Sequence, residues 1–99
     1  MFEILVTTGA EEDLRDLPAR DRRTVVDAIE RSLSDHAATP ARNRKILAGL
    51  RPPWTSVPPV RELRVGEFRV FYDVEGDEGR VWVRAVRRKP RSRTTEEIP

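Results

Sequence analysis

Four arginines and two aromatic rings define the chemistry this chain could perform. Arg64, Arg69, Arg84 and Arg88 fall near Phe71 and Trp82 once the C-terminal half is folded on its own alternation. The stretch from Val60 to Val74 reads Val-Arg-Glu-Leu-Arg-Val-Gly-Glu-Phe-Arg-Val-Phe-Tyr-Asp-Val. It alternates apolar and polar residues, and Gly66-Glu67 is a two-residue hairpin signal. Closing the hairpin there sets Val65 against Phe68, Arg64 against Arg69, Leu63 against Val70 and Glu62 against Phe71. Leu63, Val65, Phe68 and Val70 then share the buried side. The other side carries Arg64 and Arg69 directly opposed, a destabilising pair unless something offsets it. Glu62 can do part of that, and a bound phosphate could do the rest. Arginine is the residue for such a task, because its planar fork matches phosphate oxygens two at a time.

A third strand extends this face. Gly76 to Gly79 reads as a loop, followed by a strand from Arg80 to Arg88. Strict alternation places Val74 opposite Val81, Tyr72 opposite Val83 and Val70 opposite Ala85, all on the buried side. Trp82, Arg84, Val86 and Arg88 then join Arg64, Arg69 and Phe71. Cations interleaved with aromatic rings form a platform for RNA, the cations meeting phosphates and the rings meeting unstacked bases. The plainer alternative is that Phe71 and Trp82 are a second layer of core beneath a loop. A slip of one residue would reverse the faces of the last strand.

The elements before the hairpin have structural work to do. Phe2, Ile4 and Val6 alternate with Glu3, Leu5 and Thr7, which predicts a first strand. Thr8-Gly9-Ala10-Glu11 has capping-box spacing, so a short helix follows with Ala10, Leu14 and Leu17 inward. Pro18 ends it. A longer helix from about Ala19 to His36 shows an apolar stripe of Val25, Val26, Ile29 and Leu33, with Arg22, Arg23, Asp27, Glu30 and Arg31 in water. Five prolines between Ala38 and Pro59 exclude a long regular element there. Lys45 to Leu50 reads as a short turn or strand-like piece, with Ile46, Leu47 and Leu50 against the core. Trp54 either lids the core or anchors a partner, and the apolar area it hides favours the lid.

Ninety-nine residues suit one domain, spanning residues 1–99, with a polar tail at 90–99 that orders only on a partner. The formal charge is +2, but it is unevenly spread. Six basic residues and no acid lie between Arg84 and Arg93, and four basic residues and no acid lie between Arg42 and Arg51. There is no cysteine, and the lone histidine, His36, has no partner imidazole, so no metal site is expected. Nothing calls for a cofactor. No apolar run reaches membrane-spanning length and no signal core opens the chain, which reads as soluble and cytoplasmic.

The order strand, two helices, three-stranded meander resembles the RelE/ParE superfamily of bacterial toxin–antitoxin toxins. Lys45-Ile46-Leu47-Ala48-Gly49-Leu50 is similar to the family's K-x-L-x-G-L patch. Glu62 to Tyr72 is similar to its L-R-(V)-G-x-(Y/F)-R-(V/L)-x-Y strand pair. The resemblance implies an α+β fold with the helices on one face of an antiparallel sheet. It also implies a cognate antitoxin that wraps the toxin into a hetero-oligomer, and no membrane. RelE-like members cleave mRNA on the ribosome and so inhibit translation; ParE-like members inhibit DNA gyrase by binding. In RelE-like members the arginine in the place of Arg69 contacts the scissile phosphate. Arg64 matches the family's first arginine, and Arg88 or Lys89 the terminal basic residue.

On the endoribonuclease reading, the ribose 2′-hydroxyl attacks the adjacent phosphorus without a metal. Arg69, Arg64 and Arg88 would stabilise the charge that develops. Glu62 is the best base candidate and Lys89 the candidate acid. Lys45, Arg61, Arg84 and Arg91, with Phe71 and Trp82, would hold the RNA. Two departures bear on this. Glu62 stands where some RelE-like toxins carry lysine, and residues 91–99 contain no tyrosine or histidine. The second departure favours the gyrase alternative, but the crowded arginine face favours the nuclease, and a ribosome-dependent mRNA endonuclease is the leading reading.

Overall fold

The computed structural model describes residues 2–39, 41–49, 51–76 and 79–89. Tail residues 90–99, Arg91 among them, lie outside the described residues, as does Leu50. The chain runs β1 (Glu3–Val6), α1 (Thr8–Arg15), α2 (Ala19–Leu33), β2 (Arg44–Leu47), β3 (Val60–Val65), β4 (Phe68–Glu75) and β5 (Arg80–Arg88). The strands form one sheet in the order β1-β5-β4-β3-β2. β1 runs parallel to β5, and every other pairing is antiparallel. The meander is therefore one strand longer than the expected three. The piece read as a turn or strand from Lys45 onward adds β2 to the open edge of β3.

Both helices pack on one face. Ala10 and Leu14 of α1 and Val25, Ala28, Ile29 and Leu33 of α2 bury against Leu63, Val65, Phe68, Val70, Tyr72, Val81, Val83 and Val86. Phe2, Ile4 and Leu17 pack on its margin, whereas Val6 is exposed. The cap of α1 lies one residue earlier than the capping-box spacing implies. Thr7 is the N-cap, its hydroxyl accepting from the Ala10 N–H at 3.2 Å. The same hydroxyl donates to the Val83 carbonyl at 3.1 Å, which ties the start of the helix to β5. That second bond selects Thr7 over Thr8.

α1 ends at Arg15, and a side chain from α2 closes it. Arg22 Nε donates to the Leu14 carbonyl at 3.0 Å, and Nη2 donates to those of Arg15 at 3.1 Å and Leu17 at 3.0 Å. Arg22 is thus half-buried rather than solvated, because three carbonyls at and just beyond a helix C-terminus are a ready partner for one guanidinium.

The hairpin forms as its alternation predicts, with Arg64 paired to Arg69 and Glu62 to Phe71. Gly66 takes φ +58°, a conformation that would strain any residue with a Cβ. The register of β5 departs from strict alternation. Tyr72 faces Val83 as expected, but Phe71 faces Ala85 and Val70 faces Val86, so Arg84 is an extra residue in a β-bulge. Without the bulge Arg87 would point into the helix-covered core and Val86 out of it. One inserted residue exchanges them.

Beyond the bulge β5 has left β1 behind, and α1 covers its edge. The Val86 N–H, which has no strand to pair with there, donates to Asp13 Oδ2 at 3.0 Å.

Candidate functional site

The face of the sheet away from the helices carries Glu62, Arg64, Arg69, Phe71, Asp73, Trp82 and Arg84. The segment 51–59 crosses part of it. Trp54 stacks on Phe71, with ring centroids 5.1 Å apart at 43°. Together with Leu47, Val60 and Ala85 they form a second small core. Phe71 is fully buried, so it offers no ring to a nucleobase. The second-layer alternative describes it, and Trp54 is the lid.

Two of the cations expected on this face, Arg84 and Arg88, have other engagements. Arg84 Nε donates to Asp73 Oδ2 at 2.9 Å, and its Nη2 to Oδ1 at 3.4 Å. Asp73 is buried and also accepts the Val57 N–H at 2.9 Å. The Arg84–Asp73 pair therefore pins the covering segment to the sheet. The Arg84 guanidinium also lies 5.1 Å from the Trp82 ring, whose indole N–H donates to Glu75. Arg88 is not on this face at all. The bulge turns it to the helix side, where it stacks 4.7 Å over the Phe68 ring and pairs with Glu67 and Asp21. Arg87 takes its place opposite Arg69, lying 5.3 Å over the Trp54 ring and bonded to Asp13.

Arg69 itself is only 8% exposed. Its Nη1 donates to the carbonyls of Gly66 and Phe68, each at 2.8 Å, so the guanidinium folds back onto its own turn. Its Nε stands 3.8 Å from Glu62 Oε1, and Arg64 Nε stands 3.6 Å from the same oxygen. Glu62 thus offsets both opposed arginines. It does so from complete burial, and neither carboxylate oxygen accepts a hydrogen bond. Arg64 is exposed.

The remaining sequence candidates scatter. Lys45 pairs across the strands with Glu62 and is exposed. Arg61 faces the helix side beside Tyr72, where with Thr39, Arg44, Lys45 and Ile46 it lines a small pocket. Ile46 is exposed rather than tucked in, while Leu47 is buried. The Lys89 N–H donates to the Glu67 carbonyl at 2.8 Å, at the hairpin end of the molecule. Asp73 and Arg87 escaped the sequence reading. Asp73 carried no local signal, but the adjacent apolar pair Ala85-Val86 did break the period of β5, which is the mark of the bulge that relocates Arg87. Among the described residues no group of three or more His, Cys, Asp or Glu side chains could hold a metal ion. No described helix is long and apolar enough to cross a membrane.

A strand, a helical hairpin and a mixed sheet closed by an arginine-rich β-hairpin define the fold of a RelE/ParE superfamily toxin. The ParE toxin family of the type II toxin–antitoxin system parDE matches residues 4–92, and the chain belongs to that family. It is the toxin of a toxin–antitoxin system. Among solved structures it is similar to the toxin–antitoxin complex RelBE2 from Mycobacterium tuberculosis. The two share 25% identity at a TM-score of 0.70, over 89% of this chain and 98% of that one. The archaeal RelE–RelB complex from Pyrococcus horikoshii OT3 shares the fold at 18% identity and a TM-score of 0.68, over 94% of this chain and 98% of that one. No curated protein sequence matches.

Proposed function

We propose that this toxin acts in the ParE-like manner, inhibiting DNA gyrase by binding it, and that it cleaves no RNA. The observation that carries this reading is the state of Arg69. A guanidinium meant for a scissile phosphate would need its fork open to the face, yet this one is buried and spends Nη1 on two backbone carbonyls. The match to the ParE family supports the same reading. Proton transfer is also poorly provided for. Glu62, the base candidate, has no exposed surface, and Arg88, the third cation, lies on the opposite side of the sheet. An antitoxin partner follows from the toxin–antitoxin complexes that share the fold.

The competing reading, a ribosome-dependent mRNA endonuclease, draws on the exposed Arg64 and Lys45 at the edge of the same face. One pair of assays separates them. Purified toxin should inhibit gyrase supercoiling, and primer extension on translated mRNA should show no new ends. Cuts at ribosomal A-site codons that disappear in Arg69→Ala, with supercoiling untouched, would replace this proposal by the nuclease.

A further inference from the structure

Glu62 presents an unusual state for an ionisable side chain. It is fully buried, and no hydrogen bond reaches either carboxylate oxygen. Cations nevertheless stand around it: Arg64 at 3.6 Å, Arg69 at 3.8 Å, and Lys45 as its cross-strand neighbour. Arg69 Nε is likewise buried with no acceptor. Acid and base thus face each other beyond hydrogen-bond length, each with unmet capacity. Buried polar groups are normally satisfied, so such a pair signals a position filled by charge rather than by fitted bonds.

We infer that Glu62 is a built-in anion: from beneath the face its carboxylate takes up the charge of Arg64 and Arg69 that a phosphodiester would otherwise meet, and so closes this face to nucleic acid. A carboxylate and a phosphate offer the same thing to a guanidinium, two coplanar oxygens bearing negative charge. With Glu62 in place the opposed arginines are neutralised from within, and an incoming phosphate meets a carboxylate that repels it. Removing that charge while keeping the shape leaves Arg64 and Arg69 opposed and uncompensated. The inference deepens the reading of a toxin that does not cleave RNA, but it concerns anion exclusion. It is measured separately from gyrase inhibition.

The test is binding of a short fluorescein-labelled oligoribonucleotide at low salt, followed by anisotropy, to the full chain and its variants. Glu62→Gln should bind at least about tenfold tighter than the wild type, the worth of one charge-assisted phosphate contact. The gain should vanish in Glu62→Gln/Arg69→Ala. Glu12→Gln, which removes an exposed acid from α1, controls for net charge and should change affinity by less than about twofold, as a solvated, screened charge does. A folded Glu62→Gln no tighter than Glu12→Gln overturns the inference, as does a gain that survives the loss of Arg69. Should Glu62→Gln not fold, the wild type still decides. Inorganic phosphate should leave the Arg69 Nε–H resonance unmoved, and a saturable shift of that signal refutes the closed site.

Discussion

Tyr72 shows how much one buried polar atom contributes in a domain this small. Its ring lies in the helix-covered core, and its hydroxyl donates to the Ala37 carbonyl at 3.2 Å, joining β4 to the segment after α2. Burial holds the phenol above the usual tyrosine range, with Arg61 and Arg44 pulling more weakly the other way. The unfolded chain releases this proton near pH ~10, while the folded protein retains it. Above that pH the native state binds more protons, so stability falls as pH rises through the window, having been fully present below it. Tyr72→Phe should be about 1 kcal/mol less stable at neutral pH, the net worth of one hydrogen bond. Urea titrations at neutral pH and just above pH ~10 should show the gap narrowing, because phenylalanine has no proton to lose. An unchanged gap would mean the hydroxyl acts through packing alone.

At the scale of elements, two joints hold the layers in place. Arg22 closes the C-terminus of α1 from α2, so the helical hairpin is fastened by a side chain as well as by Pro18. Arg22→Met keeps the stem and removes three charged hydrogen bonds, which should lower stability by about 2 kcal/mol. Arg22→Lys should recover less than half of that, since one ammonium cannot span three carbonyls. Equilibrium urea unfolding of the three proteins checks both figures. The second joint is Asp73, which holds Arg84 in the bulge and Val57 in the covering segment together. Asp73→Asn should leave the main core intact but loosen residues 51–59. Their amides should then exchange with solvent faster than those of β3 and β4, and equal rates throughout would deny Asp73 this role.

Across the whole molecule the sheet is covered on one face by helices and on the other, in part, by an irregular segment built around one tryptophan. Trp54→Ala would uncover Phe71 and remove the ring beneath Arg87. Because Trp54 is half-buried, the expected loss is about 2 kcal/mol, below the range for a fully buried tryptophan. Limited proteolysis should then cut first within residues 51–59. Cutting elsewhere, at unchanged stability, would show that the second core does not depend on its lid.

The hairpin was legible in the residues because its information is local: Gly66 sets the turn, and alternation on both arms allows one register. The helical pair was legible too, from the stripe through Val25, Ile29 and Leu33 and from Pro18 between the helices. The proximity of Arg64, Arg69 and Glu62 follows from that register alone. What they do there does not. Whether a guanidinium opens toward solvent or folds back on the carbonyls of Gly66 and Phe68 depends on what lies above it. Here the covering of the neighbouring Phe71 is set by contacts far apart in sequence, Trp54 on Phe71 and Asp73 on Val57. Likewise only tertiary structure moved Arg88 across the sheet, because the core under the helices accepts Val86 and rejects Arg87, and a bulge is the least disruptive way to comply.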